Sequence, residues 1–463
     1  MRRQYNQNRM QKRSRSRKKH AFKQGRAQEA SPLPALFDSA LWPTFLALFS
    51  HNLDQMALTA RAIVRRRQIR SAEILLRLLF FYVLADLPLR AVVTWAAQLD
   101  LATLTDTALE KRFQHSTTFL RLLLADLLNR HLEATPAPGA TVRLVDATTL
   151  SFPGSCQADL RIHAEYSPQT ARLVSVDVTD VHTAEALDRH SYQAGNLILA
   201  DRGLARPKDF LTVLENGADF LLRVYVPTLR FLDEAGQVLS RQELLSRAQA
   251  GAIDEEMLLP LPDQSQARVR LLMIPLPVEE AEKARKKLRQ KAKRQGKRVT
   301  AQGLAWAGYL CLLTSIPKER ISAEGLQACY RIRWQIELFF KRCKSLLGLG
   351  KLKKSEEKLA QIHSLGKLLV AVLVEEIRQQ EVGPEGEEES KGILWRTTQL
   401  AVLTLQLAIY GGREVNWRWL KEPAIRKRLQ ERPRKRKLAA SQVSSRFDWF
   451  LANPAQEDFN LTS

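Results

Sequence analysis

Three acidic residues occupy positions at which an α/β protein could carry out metal-dependent chemistry. Asp146 and Asp201 each follow a short apolar run, and Glu337 lies on a predicted helix after the strand predicted over Gly308–Ile316. Acids at strand ends of such a sheet project at the edge where ligands bind. Three carboxylates grouped there repel one another unless they hold hard cations such as Mg²⁺. Two such ions can activate an attacking oxygen and stabilise a leaving oxygen in phosphoryl transfer.

Each acid by itself has a simpler interpretation. An aspartate after a strand is commonly a cap or turn residue, and Asp177 and Asp180 are competing strand acids. The surroundings of Glu337 are more informative, because Tyr330, Arg333 and Lys344 lie at helical offsets from it. Those offsets place four side chains along one helix face. Considered alone, that face could equally be a surface ion pair beside a structural aromatic.

The spacing Tyr-x2-Arg-x3-Glu-x6-Lys resembles the YREK signature of insertion-sequence-4 family transposases. These are DDE-type enzymes with an RNase H-like catalytic core. The segment Asp146-Ala147-Thr148 is similar to the family's first-Asp strand, and ILADRGL around Asp201 is similar to its second-Asp segment. The segment TDTALEKR, at 105–112, resembles the region before the core. The resemblance covers roughly residues 60–375.

The resemblance implies a role for each matching residue. Asp146, Asp201 and Glu337 would ligate two Mg²⁺ ions, for which Mn²⁺ could substitute. The bound metals would support nicking at the element ends, and the freed 3′-hydroxyl would then attack target DNA. Tyr330, Arg333 and Lys344 would hold phosphates, since a guanidinium fork suits bidentate contact and Lys supplies a point charge.

Some members of that family stack a flipped base on an aromatic side chain. Trp306 and Tyr309 precede the strand before the Glu337 helix, and either could provide that platform. The alternative interpretation is that both are core aromatics. Trp334, next to Arg333, is predicted to be a packing residue. The segment Lys283–Arg298 is predicted to be a solvated basic helix or loop that lies along DNA.

Composition indicates a polyanionic partner. The 463 residues include 72 Lys plus Arg against 49 Asp plus Glu, a net charge of +23, and the first 28 residues contain eleven basic residues and no acid. Nucleic acid is the first candidate and an anionic membrane surface the second. A hydrophobic content of 45 % excludes wholesale disorder. The four cysteines form no C-x-x-C pair, so neither a zinc site nor a disulfide framework is expected.

The partner predicted is double-stranded DNA, in the form of transposon terminal inverted repeats and target DNA. No apolar run approaches the roughly 20 residues of a membrane span, and Met1–Lys23 lacks the apolar region of a signal peptide. No membrane association is therefore expected, and the predicted location is the cytoplasm of a bacterial-type cell, at the nucleoid. Paired-end chemistry implies a homodimer on DNA.

Periodicity predicts an α/β fold with added regions. The RNase H-like core is predicted over 136–380, interrupted by a β-rich insertion at 225–305. A basic disordered tail at 1–30 and a helical DNA-binding domain at 31–135 precede it, and 381–463 contains a linker and C-terminal helices with a basic tail. Within the helical domain, the turn at Asp100–Thr105 could belong to a helix-turn-helix or to a plain bundle. Two local expectations concern the site: a strand over Thr141–Val145 that ends at Asp146, and one long helix from Ser322 to about Leu347.

Four functions remain open on these grounds. The leading one is a transposase that performs cut-and-paste DNA transposition, with metal-dependent cleavage at element ends and 3′-hydroxyl strand transfer. The second is a catalytically inactive DNA-binding derivative of a transposase. The third is an RNase H-like nuclease that hydrolyses DNA without joining strands. The fourth is a basic RNA-binding protein, which would not require three acids at these positions.

Overall fold

The computed structural model describes residues 41–49, 52–133, 141–353, 356–382 and 394–410. The predicted tail at 1–30, most of the acidic linker and the basic segment at 426–437 lie outside these ranges. None of the helices within the described ranges is long and apolar enough to cross a membrane.

The N-terminal part of the described chain is helical, as its 3.6-residue apolar period predicts. Local caps set where two of these helices begin. Oγ of Ser71 accepts a hydrogen bond from the Ile74 amide at 3.3 Å, and Oγ1 of Thr105 accepts one from Ala108 at 3.2 Å. The helices are α1 (Leu41–Leu46), α2 (Leu53–Thr59), α3 (Ala72–Val83), α4 (Leu89–Gln98), α5 (Asp106–Gln114) and α6 (Thr117–Glu133).

Helices α4 and α5 flank the turn that could form a helix-turn-helix. On α5, Leu109 and Phe113 are fully buried, and the Phe113 ring packs 5.4 Å from the ring of Tyr82. The guanidinium of Arg112 donates a hydrogen bond to the carbonyl of Ala62 at 2.8 Å, so this side chain connects α5 to the loop after α2. Lys111 is exposed. These contacts account for a bundle, and DNA reading by this unit stays a prediction.

A ten-stranded sheet runs through the rest of the molecule in the order β3-β2-β1-β4-β5-β10-β9-β8-β6-β7. Helices cover both of its faces, and two hydrophobic cores lie against it. The strands are β1 (Thr141–Leu150), β2 (Leu160–Ser167), β3 (Arg172–Asp180), β4 (Asn196–Ala200), β5 (Asp219–Arg223), β6 (Phe231–Leu232), β7 (Val238–Leu239), β8 (Ile253–Pro260), β9 (Gln266–Pro275) and β10 (Tyr309–Thr314).

The first five strands form the core of the fold. Strand β2 is antiparallel to both β1 and β3, whereas β4 is parallel to β1 and to β5. Helix α7 (Pro207–Glu215) makes the crossover from β4 to β5. This mixed sheet confirms the predicted fold class, an α/β protein with an RNase H-like core. One boundary was wrong: β1 does not end at Asp146 but continues to Leu150, because the strand keeps its pairing with β2 over that length.

The stretch between β5 and β10 adds strands to the same sheet. A hairpin of β6 and β7 turns at Gly236, whose φ of +78° lies in the left-handed region that favours glycine. Strands β8 and β9 then pair with each other, and β9 pairs with β10. Three helices accompany them: α8 (Arg241–Ala250), α9 (Val278–Arg294) and α10 (Ala301–Trp306). The basic segment at 283–298 is thus mainly helical.

The single helix expected from Ser322 to Leu347 is two helices. Helix α11 (Ala323–Arg331) ends before Arg333, and α12 (Trp334–Leu346) begins after it. Helix α13 (Glu357–Val382) then packs against α3, α6 and β3, and α14 (Leu394–Tyr410) packs against α13. The break lies between Tyr330 and Glu337, and Arg333 contacts Glu337 on α12 and Asp146 on β1.

Candidate active site

Neighbouring parallel strands bring Asp146 and Asp201 together. Strands β1 and β4 are in register with Val145 opposite Ala200, so the next residue on each is an acid. Strand β4 ends at Ala200, and Asp201 leads into the 3₁₀ turn Arg202–Leu204. The register therefore places both acids side by side at one level of the sheet, although only Asp201 follows the end of its strand.

Helix α12 brings Glu337 to these two acids from a distant part of the chain. The helix packs on β1, and the ring of its Phe339 lies 5.5 Å from the ring of Tyr166 on β2. Glu337 stands in the first turn of α12, with its side chain 32 % exposed, and the side chain of Asp146 is 24 % exposed. Both carboxylates are thus partly buried and still open to a ligand.

Arg333 and Tyr330 connect the three acids in the absence of any ligand. Nη1 of Arg333 lies 3.4 Å from Oδ2 of Asp146, and Nη2 donates a hydrogen bond to Oε1 of Glu337. The hydroxyl of Tyr330 donates to Oδ1 of Asp201 at 3.4 Å. The guanidinium carbon of Arg333 lies 5.8 Å from the centre of the Tyr330 ring, within cation–π range. One cation therefore balances two of the three carboxylates.

Burial and mutual repulsion change the ionisation of this group. Desolvation raises the pKa of Asp146 to about 6; Arg333 opposes the shift, and Glu337 and Asp201 add to it. Burial alone would lower the pKa of Arg333. The interactions of the guanidinium with Tyr330 and the three acids are larger, so the net effect is a raised pKa. Burial also raises the pKa of the Tyr330 phenol, which stays protonated at neutral pH. Displaced carboxyl pKa values in a cleft are typical of functional sites.

Lys344 lies two turns further along α12. Its Nζ donates to Oγ1 of Thr148 at 2.6 Å and to the carbonyl of Thr149 at 3.3 Å, both on β1. Burial lowers the pKa of its ammonium. No carboxylate pairs with Lys344 in the described part of the chain, so its charge is available to an anion.

The Glu185 carboxylate packs closely against Gly203, in the turn that follows Asp201. A Cβ built on Gly203 would lie 2.7 Å from Oε2 of Glu185, and Oε1 of Glu185 lies 3.5 Å from Nε of Arg161 on β2. Glycine at this point lets the Glu185 carboxylate approach the turn closely. The sequence analysis did not identify this support, since nothing in the local pattern connects 161, 185 and 203.

For Trp306 and Tyr309 the structure favours the second interpretation, that of core aromatics. Trp306 is 4 % exposed and packs in the core beside the insertion, and the Tyr309 hydroxyl donates to the carbonyl of Ala248 at 3.2 Å. Trp306 is therefore a core residue, and Tyr309 is partly buried against the same core. The prediction that Trp334 is a packing residue is wrong, because its side chain is 48 % exposed at the start of α12, next to Arg333. No sequence signal separates it from a core tryptophan.

The donor set suits a hard divalent cation. Carboxylate oxygens are the ligands that Mg²⁺ prefers, and the three acids here come from three elements of one sheet-and-helix unit. Within the described ranges, no three acid, histidine or cysteine side chains already stand in an arrangement that would hold a metal ion. Arg333 accounts for this, because its contacts with Asp146 and Glu337 take the place of a cation between them.

The site is therefore an acidic cluster with adjoining basic groups on a mixed α/β sheet. Residues 137–373 match the family described as the transposase DDE domain. The chain is 36 % identical over 353 residues to a putative transposase, InsL, of insertion sequence element IS186A from Escherichia coli (strain K12). That alignment covers 73 % of this chain and 94 % of the relative. The chain belongs to the DDE-domain transposases.

Two further relatives agree with this assignment. The transposase of insertion sequence element IS421 from Escherichia coli is 36 % identical over 354 residues, covering 73 % of this chain and 94 % of that protein. The transposase of IS231F from Bacillus thuringiensis subsp. israelensis is 24 % identical over 311 residues, covering 58 % and 65 %. A cryo-EM structure of the piggyBac transposase synaptic complex with hairpin DNA aligns over 93 % of this chain and 88 % of its own, with 10 % identity and a TM-score of 0.45.

The function class follows from the family. The protein is a transposase, and members of this family are enzymes that cleave DNA and transfer its strands. Family members generally use divalent metal ions for that chemistry.

Proposed function

We propose that this protein is a cut-and-paste transposase of the insertion-sequence-4 family, in which Asp146, Asp201 and Glu337 are the catalytic acids. The observation that carries the proposal is that residues from β1, the end of β4 and α12 meet at one place and influence one another's ionisation. A purely structural role would not explain why three carboxylates lie together at this edge of the sheet.

These three acids would hold two Mg²⁺ ions, with Mn²⁺ able to substitute. The bound ions would supply activation of an attacking oxygen and stabilisation of the leaving oxygen at a phosphodiester. The protein's own contribution is positioning, because α12 and the β1–β4 pair are rigid elements that set the distances between the carboxylates. Asp146 must be ionised to serve as a ligand, which its pKa of about 6 allows at neutral pH.

The basic members of the signature would hold DNA phosphates. The planar fork of Arg333 would suit bidentate contact with two oxygens of one phosphate. Lys344 already lies above the Thr148–Thr149 stretch of β1 and has no carboxylate partner within the described residues. Tyr330 contributes a hydroxyl donor beside Asp201.

Trp334 replaces Trp306 and Tyr309 as the aromatic residue proposed to meet a base. Its ring is half-exposed and adjoins Arg333, whereas the other two are buried or engaged in hydrogen bonds. Stacking a base on an exposed aromatic ring contributes about 1–3 kcal/mol.

The partners proposed are duplex DNA with terminal inverted repeats and a target duplex. Their negative charge matches the net charge of +23. A homodimer on DNA would allow the two ends to be paired, and the proposed place of action is the bacterial nucleoid.

The test uses the purified protein and a duplex carrying the ends that flank its gene, with Mg²⁺ or with a chelator. Asp146→Asn and Glu337→Gln are compared with Glu324→Gln, an exposed acid on α11 that serves as the matched control. We expect metal-dependent nicking by the parent and the control. Both site variants should lose at least about a thousandfold of that rate while still binding the ends.

Other outcomes favour the other functions. End binding without cutting by the parent, in Mg²⁺ and in Mn²⁺, would indicate a catalytically inactive DNA-binding derivative. Cutting without any joined product would indicate a nuclease. Preference for structured RNA over end DNA would indicate an RNA-binding protein.

A further inference from the structure

A second group of charged side chains lies at the far end of α12 from the acids. There the loop Gly348–Lys353 meets the C-terminal end of α3 and the side of α13. The group, called here the lysine cluster, consists of Lys351, Lys353 and Lys367, with Asp86 as its only ion-pairing acid among the described residues.

Lys367 is the member that needs an explanation. Its side chain is 4 % exposed, and it makes no ion pair or hydrogen bond with the described part of the chain. Its Nζ lies 3.8 Å from the point that a Cβ on Gly348 would occupy, and Cδ of Lys351 lies 3.9 Å from the same point. The φ of Gly348 is +65°, a left-handed conformation that favours glycine, and both lysine side chains lie at ordinary van der Waals distance from its Cβ point.

The neighbouring groups do not neutralise Lys367. The carboxylate of Asp86 is taken by Lys353, whose Nζ lies 3.2 Å from Oδ1. His363 is 1 % exposed, and burial lowers its pKa to about 3, an effect to which Lys367 and Lys353 add. Its ring is therefore uncharged at neutral pH, and neither ring nitrogen has a hydrogen-bond partner in the described ranges. Three ammonium groups thus face one carboxylate.

A buried ammonium without a partner is unfavourable. Desolvation lowers the pKa of Lys367 to about 8, with Lys353 and Lys351 acting in the same direction and Asp86 opposing. The group is still mainly charged at neutral pH, so the folded protein carries an uncompensated charge. Glu356, a further acid nearby, is engaged at the start of α13, where it accepts the Leu359 amide at 2.7 Å. A bound anion would remove the penalty.

The lysine cluster continues the basic side of the candidate active site. Cγ of Lys344 lies 3.9 Å from the point of a Cβ on Gly350, so the loop adjoins the phosphate-binding lysine of the signature. Helix α12 carries Glu337 in its first turn and leads, after Leu346, into this loop.

We propose that Lys351, Lys353 and Lys367 form an anion site for a DNA backbone phosphate, beyond the Lys344 end of the candidate active site. Lys367 would contact the phosphate from the floor of the site and Lys351 from its rim. The identification of the anion as DNA rests on the proposed function, whereas the existence of an anion site rests on the cluster itself.

Binding measurements without cleavage test this proposal. End-DNA affinity is measured in chelator over a range of salt concentrations, in the Asp146→Asn background, for Lys367→Gln, Lys351→Gln and the control Lys358→Gln. Lys358 is an exposed lysine in the first turn of α13. We expect Lys367→Gln and Lys351→Gln each to weaken binding about tenfold. Each should also reduce the slope of log affinity against log salt by about 0.9, and the control should change neither.

A second arm separates DNA from free phosphate. Thermal unfolding is followed with and without millimolar inorganic phosphate, since a ligand that binds only the folded state raises the Tm. Phosphate stabilisation that disappears in Lys367→Gln, together with an unchanged salt slope, would assign the site to free phosphate and overturn the DNA proposal. An unchanged slope with no phosphate effect would overturn the site itself.

Two controls keep the result interpretable. If Lys367→Gln does not fold, the exposed Lys351→Gln decides, because its side chain adds nothing to the core. Equal losses in all three variants would mean non-specific charge and would also overturn the proposal. If the parent cuts normally and the lysine variants keep the parent's slope of log affinity against log salt, the anion site is contradicted and the proposed function is not. If the parent neither binds nor cuts the ends, both proposals are contradicted.

Discussion

At the scale of single residues, Arg333 is the side chain that connects two of the three acids. It contacts Asp146 at 3.4 Å and Glu337 directly, and its own side chain is 13 % exposed. Removing one partner from such a buried pair leaves an uncompensated charge, which is why the acids depend on it until another cation arrives. The same guanidinium suits a phosphate. The contacts with both acids are therefore structural observations, and phosphate binding by Arg333 stays a prediction.

The raised pKa of Asp146 predicts a pH-dependent gain in stability for Asp146→Asn. In the folded state the pKa is about 6, against 3.8 for the isolated group, so the folded protein binds the proton more tightly. Stability is therefore greatest below the unfolded pKa and is lost as the pH rises through about 6. In chelator, urea unfolding at pH 8 should show Asp146→Asn more stable than the parent by about 1–3 kcal/mol.

The comparison at low pH serves as the control. Near pH 4 the parent carboxyl is already protonated, so the difference in the free energy of unfolding between parent and variant should nearly vanish. A variant that is equally or less stable than the parent at pH 8 would contradict the assigned burial of this acid.

At the scale of elements, the site depends on how helices pack behind it. Helix α13 crosses α3 so closely that a Cβ on Gly366 would lie 2.8 Å from Cγ1 of Val83. Val83 is fully buried and β-branched, so it cannot turn away easily. This crossing fixes α13, which carries the buried Lys367, against the N-terminal helices. Arg342 on α12 in turn packs on the same helix through Glu375, at 3.9 Å.

Gly366→Ala should therefore destabilise the protein, since adding a methyl group to a packed interface forces displacement and costs about 1–3 kcal/mol. Thermal unfolding is the measurement. Val83→Ala combined with Gly366→Ala should recover part of the loss, because the smaller partner restores space. Gly251→Ala is the matched control: its φ is 176° and nothing lies near its Cβ position. Equal Tm values for Gly366→Ala and Gly251→Ala would refute the close crossing.

At the scale of the whole molecule, positive charge is concentrated on α9 as well as near the site. Its buried residues are Ala281 and Ala292, and acids occupy its first turn while bases occupy its last. That distribution also favours the helix dipole, so the charges have a purely structural explanation. Lys287, Lys291 and Arg294 are exposed and lie at offsets of four and three, on one face.

Replacing these three residues by glutamine distinguishes the two explanations. If the face lies along DNA, the slope of log affinity against log salt should fall by about 0.9 for each phosphate that the helix no longer neutralises. The helix should persist, because glutamine has nearly the helix propensity of lysine and arginine, and circular dichroism checks this. An unchanged salt dependence with an intact helix would leave only the structural role for α9.

Much of the element order could be predicted from the sequence, because apolar periodicity is a local property. The hairpin of β6 and β7, the strands around Asp201 and the helix Leu394–Tyr410 all follow from it. Two boundaries near the site could not be predicted. Strand β1 continues past Asp146 because β2 pairs with it, and the expected single helix is divided between Arg331 and Trp334 although the backbone angles of Ile332 and Arg333 stay helical.

The sequence by itself determined the class of the protein. Two local properties were enough: the positive net charge and the spacing of Tyr330, Arg333, Glu337 and Lys344. Only the tertiary structure decided which groups meet. It placed Asp146 beside Asp201 through strand register, exposed Trp334, buried Trp306 and left Lys367 buried without a partner among the described residues. The physical reason is that burial, pairing and pKa depend on neighbours that are distant along the chain.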